Sequence, residues 1–257
     1  MSSESEARLP TTPAGPATSA GPAGRAGARA AYETVVFDLD GTLVDTIGLI
    51  VDSYQHAFRT VLGRQEDERR IRAWIGQPLL RCFQEASPAH ADELFAAYTE
   101  WNEANTTRLV RGYAGIPELL GELAGAGVRV AVATSKRRPP AARALELTGL
   151  TSLVPVLVTM EDTPVHKPDP TPLLFAVDLA GGEPGRAAYV GDAAVDLRAA
   201  RAAGMAGVGV LWGAGEEADL RAERPSAVCA QVSALRSVLL AERASDLFVT
   251  SVPRVTG

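Results

Sequence analysis

Two carboxylates, Asp38 and Asp40, stand two residues apart in the apolar run Thr34-Val35-Val36-Phe37-Asp38-Leu39-Asp40-Gly41-Thr42-Leu43. On a strand, side chains at i and i+2 share a face, and Gly41 lets the backbone turn sharply beside them. Like charges held that close repel unless a cation or a shared proton relieves them. A single acid at this place would read as a turn former or a helix cap. The pair suggests a metal site with a nucleophile.

Three further clusters follow short apolar runs: Thr134-Ser135-Lys136, then His166-Lys167-Pro168, then Gly191-Asp192-Ala193-Ala194-Val195-Asp196. Of 25 Lys and Arg residues, only Lys136 and Lys167 are lysines. Where a chain uses Arg almost everywhere, a retained Lys suggests a need for a compact ammonium on a flexible stem. Gathered on one rim, these clusters supply carboxylates, hydroxyls and an ammonium. That set suits phosphoryl transfer assisted by a hard divalent cation.

The elements that must position them are legible in the punctuation. Strands are predicted over 35–39, 128–133, 154–158, 187–190 and 206–210, and helices over 116–124, 140–148, 172–179 and 193–203. Glycines close the helices, as C-terminal signals do. This alternation predicts an α/β fold: a Rossmann-like parallel sheet with helices on both faces. Function then collects at the carboxyl ends of the strands, which is where each cluster falls.

One interval breaks the rhythm. From Asp45 to about Gly112 no strand is evident, and amphipathic stretches predict helices over 49–62, 68–74, 79–85 and 91–107. The distance from Asp38 to Thr134 is about three times the roughly 30 residues of a βαβ unit. The surplus predicts an inserted α-helical cap over 47–111, with the catalytic core over 32–46 and 112–245. Residues 1–31, rich in Ala, Pro, Gly, Ser and Thr, read as a disordered tail, and 246–257 as a C-terminal tail.

Composition bounds the partners. Net charge is −6, which argues against nucleic acid or an anionic membrane surface. No apolar run approaches the roughly 20 residues of a membrane span. The first residues, Met1-Ser2-Ser3-Glu4, lack the features of a secretory signal, so a cytoplasmic location is expected. Cys82 and Cys229 read as two free thiols rather than a disulfide. G-x-G-x-x-G, P-loop and G-x-S-x-G patterns are absent.

The four clusters, in this order and spacing, resemble the haloacid dehalogenase superfamily, and the helical insertion is similar to that of its phosphoglycolate phosphatase-like branch. The resemblance spans about residues 33–240. It implies that Asp38 attacks phosphorus and forms an aspartyl-phosphate, while Asp40 serves as general acid and then base. Thr134 would hold phosphoryl oxygens and Lys167 would neutralise charge, with Ser135 and Lys136 as further substrate contacts. Mg2+ would take Asp38, the backbone carbonyl of Asp40 and Asp192, with Asp196 behind them, acting through water or toward Lys167. The expected partner is a small phosphorylated metabolite, and the expected state a monomer or weak dimer. The family often carries Ser or Thr where this chain has Ala193, which removes one hydroxyl.

Duller readings stand beside these roles. Thr134, Ser135 and Asp192 each also suit a helix N-cap, and Asp196 a solvated helix acid near Arg198 and Arg201. His166 reads as a packing or turn residue, and Trp74, Trp101 and Trp212 as core or domain contacts. Arg72 and Arg81 flank Gly76 and suit either an anionic leaving group or solvent. Within the resemblance, the second acid, Asp40, disfavours a dehalogenase. The absence of lysine from 45–112 removes a Schiff-base phosphonate hydrolase. A β-phosphoglucomutase-like sugar-phosphate mutase stays open, with Lys136 for a distal phosphate, as does a non-catalytic binding protein.

Overall fold

The structure, a computed structural model, describes residues 30–241. The expected tails at 1–31 and 246–257 lie outside these, apart from residues 30 and 31. Ala30, at the start of the described residues, packs against the core.

In chain order the elements are β1 (Thr34–Phe37), β2 (Val44–Asp45), α1 (Ile47–Leu62), α2 (Glu68–Trp74), α3 (Leu79–Ala86), α4 (Ala91–Leu109) and β3 (Arg111–Gly112). Then come α5 (Ile116–Gly125), β4 (Arg129–Ala133), α6 (Arg138–Leu147), β5 (Val156–Val158), α7 (Thr171–Leu179), β6 (Ala187–Gly191) and α8 (Ala194–Ala202). The last are β7 (Ala206–Val210), α9 (Glu217–Ala222), β8 (Ala227–Cys229) and α10 (Val232–Leu239).

Six strands form a parallel sheet in the order β5-β4-β1-β6-β7-β8. The chain leaves β1 toward β4 on one side and later returns to β6 on the other, so a topological switch lies at β1. Side chains alternate across the sheet. Val35 and Phe37 join the apolar layer that holds Leu119, Leu123 and Leu235, whereas Val36 joins Ala131, Leu173, Ala176 and Ala199 on the opposite face. Fully buried strands need apolar residues on both faces, which is why β1, β4 and β6 read as continuous apolar runs.

Three expectations need correction. The first strand stops at Phe37 instead of running to Leu39, because the Leu39 carbonyl accepts N–H bonds from Leu43 and Val44 and folds the chain back. Asp38 therefore ends the ladder, its N–H donating to the Val190 carbonyl, whereas Asp40 lies beyond the fold-back, so the two do not share a strand face. The insertion is not strand-free at its ends: β2 and β3 pair antiparallel, Val44 with Gly112 and Asp45 with Arg111. Two residues carry no readable alternation, so such a ribbon escapes a period-2 search. Finally, β8, α9 and α10 extend the sheet and its cover beyond the last predicted strand.

The four insertion helices carry their own core. Tyr54, Phe58, Ile71, Trp74, Phe83 and Leu94 are buried together. Tyr54 is its hub, with ring centroids 5.4 Å from Trp74, 5.1 Å from Phe83 and 5.0 Å from Tyr98. Cys82 lies in this cluster and Cys229 in β8, both as free, buried thiols. Among the described residues no helix is long and apolar enough to cross a membrane.

Candidate active site

The predicted clusters meet where β1, β4 and β6 end. Lys167, carried on the loop before α7, is almost wholly buried. Its ammonium donates to Asp38 Oδ1 at 2.9 Å, Asp196 Oδ1 at 2.7 Å and the Tyr189 hydroxyl at 3.1 Å. An ammonium has three N–H donors, so Lys167 is fully satisfied and held in one place. Burial opposes its charge, but the Asp196 and Asp38 carboxylates outweigh that and hold its pKa well above the ordinary lysine value.

Asp38, Asp192 and Asp196 bring carboxylate oxygens within 4.8 Å of one another, all buried. One ammonium cannot balance three carboxylates. Burial raises the Asp38 carboxyl to about 7, against the pull of Lys167. Asp192 is likewise pushed well above the carboxylate range by burial, and then by the charges of Asp196 and Asp38. A buried, oxygen-only donor set with surplus negative charge fits a hard divalent cation.

Asp196 divides its two oxygens. Oδ1 takes Lys167, and Oδ2 accepts the Ala193 N–H at 3.0 Å at the start of α8. It faces the lysine, and the reading of a solvated helix acid is excluded by its complete burial. Asp192 accepts the Thr42 hydroxyl at 3.3 Å and the Ala214 N–H at 2.6 Å.

Asp40 belongs to a separate arrangement. Its Oδ1 accepts the Thr46 hydroxyl at 2.7 Å, and Lys136 Nζ donates to its two oxygens at 2.9 and 3.1 Å. The two acids of the opening pair thus have different cations. Lys136, expected to meet substrate, is placed on Asp40. Thr134 Oγ1 accepts the Lys136 N–H at 3.2 Å and so shapes this turn rather than capping α6, which begins later. Ser135, also expected at substrate, donates its hydroxyl to the Gly76 carbonyl at 2.7 Å, tying the rim to the helical insertion. Gly76 has φ of +89°, and a Cβ there would come 3.1 Å from Val195. The positive φ, together with that close approach, favours glycine there.

Tyr189, Tyr113, Gly213 and Gly215 were not singled out from the sequence. Tyr189 in β6 accepts from Lys167 and donates to the Ala133 carbonyl at 2.8 Å. A tyrosine in an otherwise small and aliphatic buried strand was the only signal. The segment Trp212-Gly213-Ala214-Gly215 closes over Asp192, and a Cβ at Gly213 would overlap Asp192 Oδ2. Trp212 Nε1 donates to the Thr42 carbonyl at 3.1 Å, and the Tyr113 hydroxyl to the Trp212 carbonyl at 3.2 Å. Two glycines flanking one alanine after a strand were the available clue. His166 lies in the turn before α7, where its carbonyl accepts the Asp169 N–H.

A cavity of about 590 Å3 opens above Asp38 and Asp40, between the rim and the insertion helices. Arg72 and Arg81 do not line it; they pair with Glu68 and Glu85 along their own helices.

Residues 35–210 match the family model described as haloacid dehalogenase-like hydrolase. The pyrophosphatase PpaX of Bacillus velezensis is 35% identical over 178 residues, covering 69% of this chain and 82% of that protein. The PpaX pyrophosphatase of Bacillus pumilus is 32% identical over 214 residues, covering 83% and 99%. Among solved structures, a hydrolase from Pseudomonas syringae aligns with a TM-score of 0.72 at 26% identity, covering 79% of this chain and 95% of that one. A predicted phosphoglycolate phosphatase from Haemophilus somnus shares the fold, with a TM-score of 0.74 at 24% identity over 81% and 98%.

Proposed function

The chain belongs to the haloacid dehalogenase-like hydrolases, and we propose that it is a magnesium-dependent phosphatase that hydrolyses a small phosphomonoester through an aspartyl-phosphate on Asp38. The observation that carries this reading is the Asp38 carboxylate itself. It is buried at the end of a central strand, pinned through Oδ1 by Lys167 at 2.9 Å, and grouped with Asp192.

Pinning one oxygen fixes the other in direction, so the carboxylate needs little reorganisation before it attacks phosphorus. The Asp38 O–P bond forms as the ester O–P bond breaks. Lys167 stabilises the charge that gathers between nucleophile and phosphoryl group. Asp40 donates a proton to the leaving alkoxide, then removes one from the water that attacks the aspartyl-phosphate. Inorganic phosphate leaves and Asp38 is restored. Thr46 orients Asp40, and Lys136 donates to both its oxygens. Asp38, the Asp40 carbonyl and Asp192 are the residues that would hold Mg2+. When bound, that ion neutralises phosphoryl charge as a Lewis acid.

A phosphatase is favoured over the mutase reading because Lys136, the cation that reading offers to a distal phosphate, is paired with Asp40. Phosphate release from p-nitrophenyl phosphate tests the proposal. It is expected to require Mg2+ and to be lost in Asp38→Asn. Equal rates in wild type and Asp38→Asn would overturn the nucleophile.

A further inference from the structure

The lining of the cavity above Asp38 bears on what the phosphoryl group is attached to. Its cap side is walled by Ile50, Tyr54, Trp74, Leu79, Phe95 and Tyr98. Tyr54, Trp74 and Tyr98 belong to one packed aromatic cluster, so this wall is rigid as well as apolar. Two of the polar groups along it are already used within the protein. The Thr99 hydroxyl donates to the Phe95 carbonyl at 2.8 Å, and the Asn102 amide to Ser53 at 2.9 Å.

Charge points the same way. The lining carries two cations, Lys136 and Arg137, against four carboxylates, those of Asp38, Asp40, Glu103 and Glu161. Lys136 is paired with Asp40 at 2.9 Å and Arg137 with Glu161 at 3.1 Å. The described helical insertion offers no arginine to the cavity. A leaving group with its own carboxylate or phosphate would meet hydrocarbon and a further carboxylate, Glu103, and would have to compete with Asp40 and Glu161 for the two lining cations. It would also leave much of a cavity of about 590 Å3 unfilled. Cavities of roughly 300–1,000 Å3 with apolar walls and few polar groups take organic molecules of appreciable size.

Resting on the phosphatase reading above, we infer that the substrate is the phosphomonoester of an uncharged, largely apolar alcohol, with its alkyl or aryl part seated against the Tyr54–Trp74–Phe95–Tyr98 wall. Pyrophosphate and phosphoglycolate, the compounds in the names of the relatives, fit this cavity poorly.

A series of ethyl, butyl and hexyl phosphates tests this, because their leaving alcohols differ little in basicity. kcat/KM is expected to rise by up to about fourfold per added methylene as each is buried. Hexyl phosphate should exceed 5-carboxypentyl phosphate, pyrophosphate and phosphoglycolate by about 100-fold or more. Phe95→Lys, which adds a cation to the wall, should shrink the hexyl over carboxypentyl preference at least about tenfold. Hexylphosphonate, which cannot be hydrolysed, should bind Asp38→Asn with a negative heat-capacity change.

A flat alkyl series, or faster turnover of pyrophosphate or phosphoglycolate than of hexyl phosphate, would overturn the inference while leaving the phosphatase reading intact. Hydrolysis of none of these compounds or of p-nitrophenyl phosphate would instead sink the phosphatase reading. In that case hexylphosphonate binding decides the cavity's preference by itself: no binding would overturn it.

Discussion

Lys167 illustrates how much one buried charge can organise. Its three donors are shared among Asp38, Asp196 and Tyr189, and each partner does something more: Asp38 is the proposed nucleophile, Asp196 holds the start of α8 and Tyr189 ties β6 to β4. Removing one member of such a network leaves the others desolvated and unpaired. Lys167→Met is expected to abolish phosphate release and to lower stability by about 3–5 kcal/mol, since uncompensated buried charge is costly. Tyr189→Phe is gentler. It deletes one acceptor for the ammonium and one donor to the Ala133 carbonyl, at about 1–3 kcal/mol of stability. A loss of that size at a charged group predicts roughly a tenfold fall in kcat. Thermal unfolding beside single-turnover kinetics measures both, and an unchanged kcat in Tyr189→Phe would deny the hydroxyl any positioning role.

At the scale of elements, two short segments complete what the strand ends begin. The turn after β7 presses Gly213 against Asp192 so closely that no other residue fits. Gly213→Ala must displace that carboxylate. Partners that orient metal ligands typically contribute 10–100-fold in affinity, so Mg2+ affinity is expected to weaken by about 10-fold or more. Titrating Mg2+ against protein fluorescence or heat release checks this; an unaltered affinity would mean that Asp192 is not a ligand. The Ser135 hydroxyl on the Gly76 carbonyl joins the rim to the cap. Ser135→Ala should raise KM several-fold and change stability by less than about 1 kcal/mol, because a single neutral hydrogen bond contributes about that much.

For the whole molecule, the surplus of buried carboxylate couples folding to pH and to the cation. Asp38 has an ordinary value of 3.8, raised in the fold to about 7. Between those values the folded chain keeps a proton that the unfolded chain has released. The contribution of this group to stability is therefore fully present below about pH 4 and declines as pH rises toward 7. Asp192, raised in the same direction, adds to that decline. In chelator, the part of the unfolding free energy due to this site should fall across the window, and Asp38→Asn should flatten it. Saturating Mg2+ is expected to bind the ionised carboxylates and oppose the decline, adding about 2.7 kcal/mol at a concentration about 100-fold above Kd. Unfolding midpoints insensitive to Mg2+ at neutral pH would remove the metal from this site.

The chemistry at the strand ends was legible in the sequence because it depends on local facts. Apolar runs, glycine punctuation and residue types at the ends of those runs predict a parallel sheet, and a parallel sheet brings its strand ends to one rim. Asp38, Lys167, Asp192 and Asp196 meet there for that reason. The helical insertion was visible as a gap filled by 3.6-residue periodicity.

Which side chain faces which depended on the tertiary structure. Asp38 and Asp40 parted because the chain already folds back at Leu39, two residues before the Gly41 that signalled a turn. Lys136 came to Asp40, Ser135 to Gly76 and Tyr189 to Lys167 across long stretches of chain, through side-chain directions set by packing. The apolar, cation-poor wall above the nucleophile arose in the same way, from residues on α1, α2, α3 and α4 that share a surface only once those helices pack. Sequence determined the reactive groups and the rim that collects them, since both follow from local pattern and strand order. Tertiary structure decided their pairings and the shape offered to a substrate, since both depend on contacts between residues far apart in the chain.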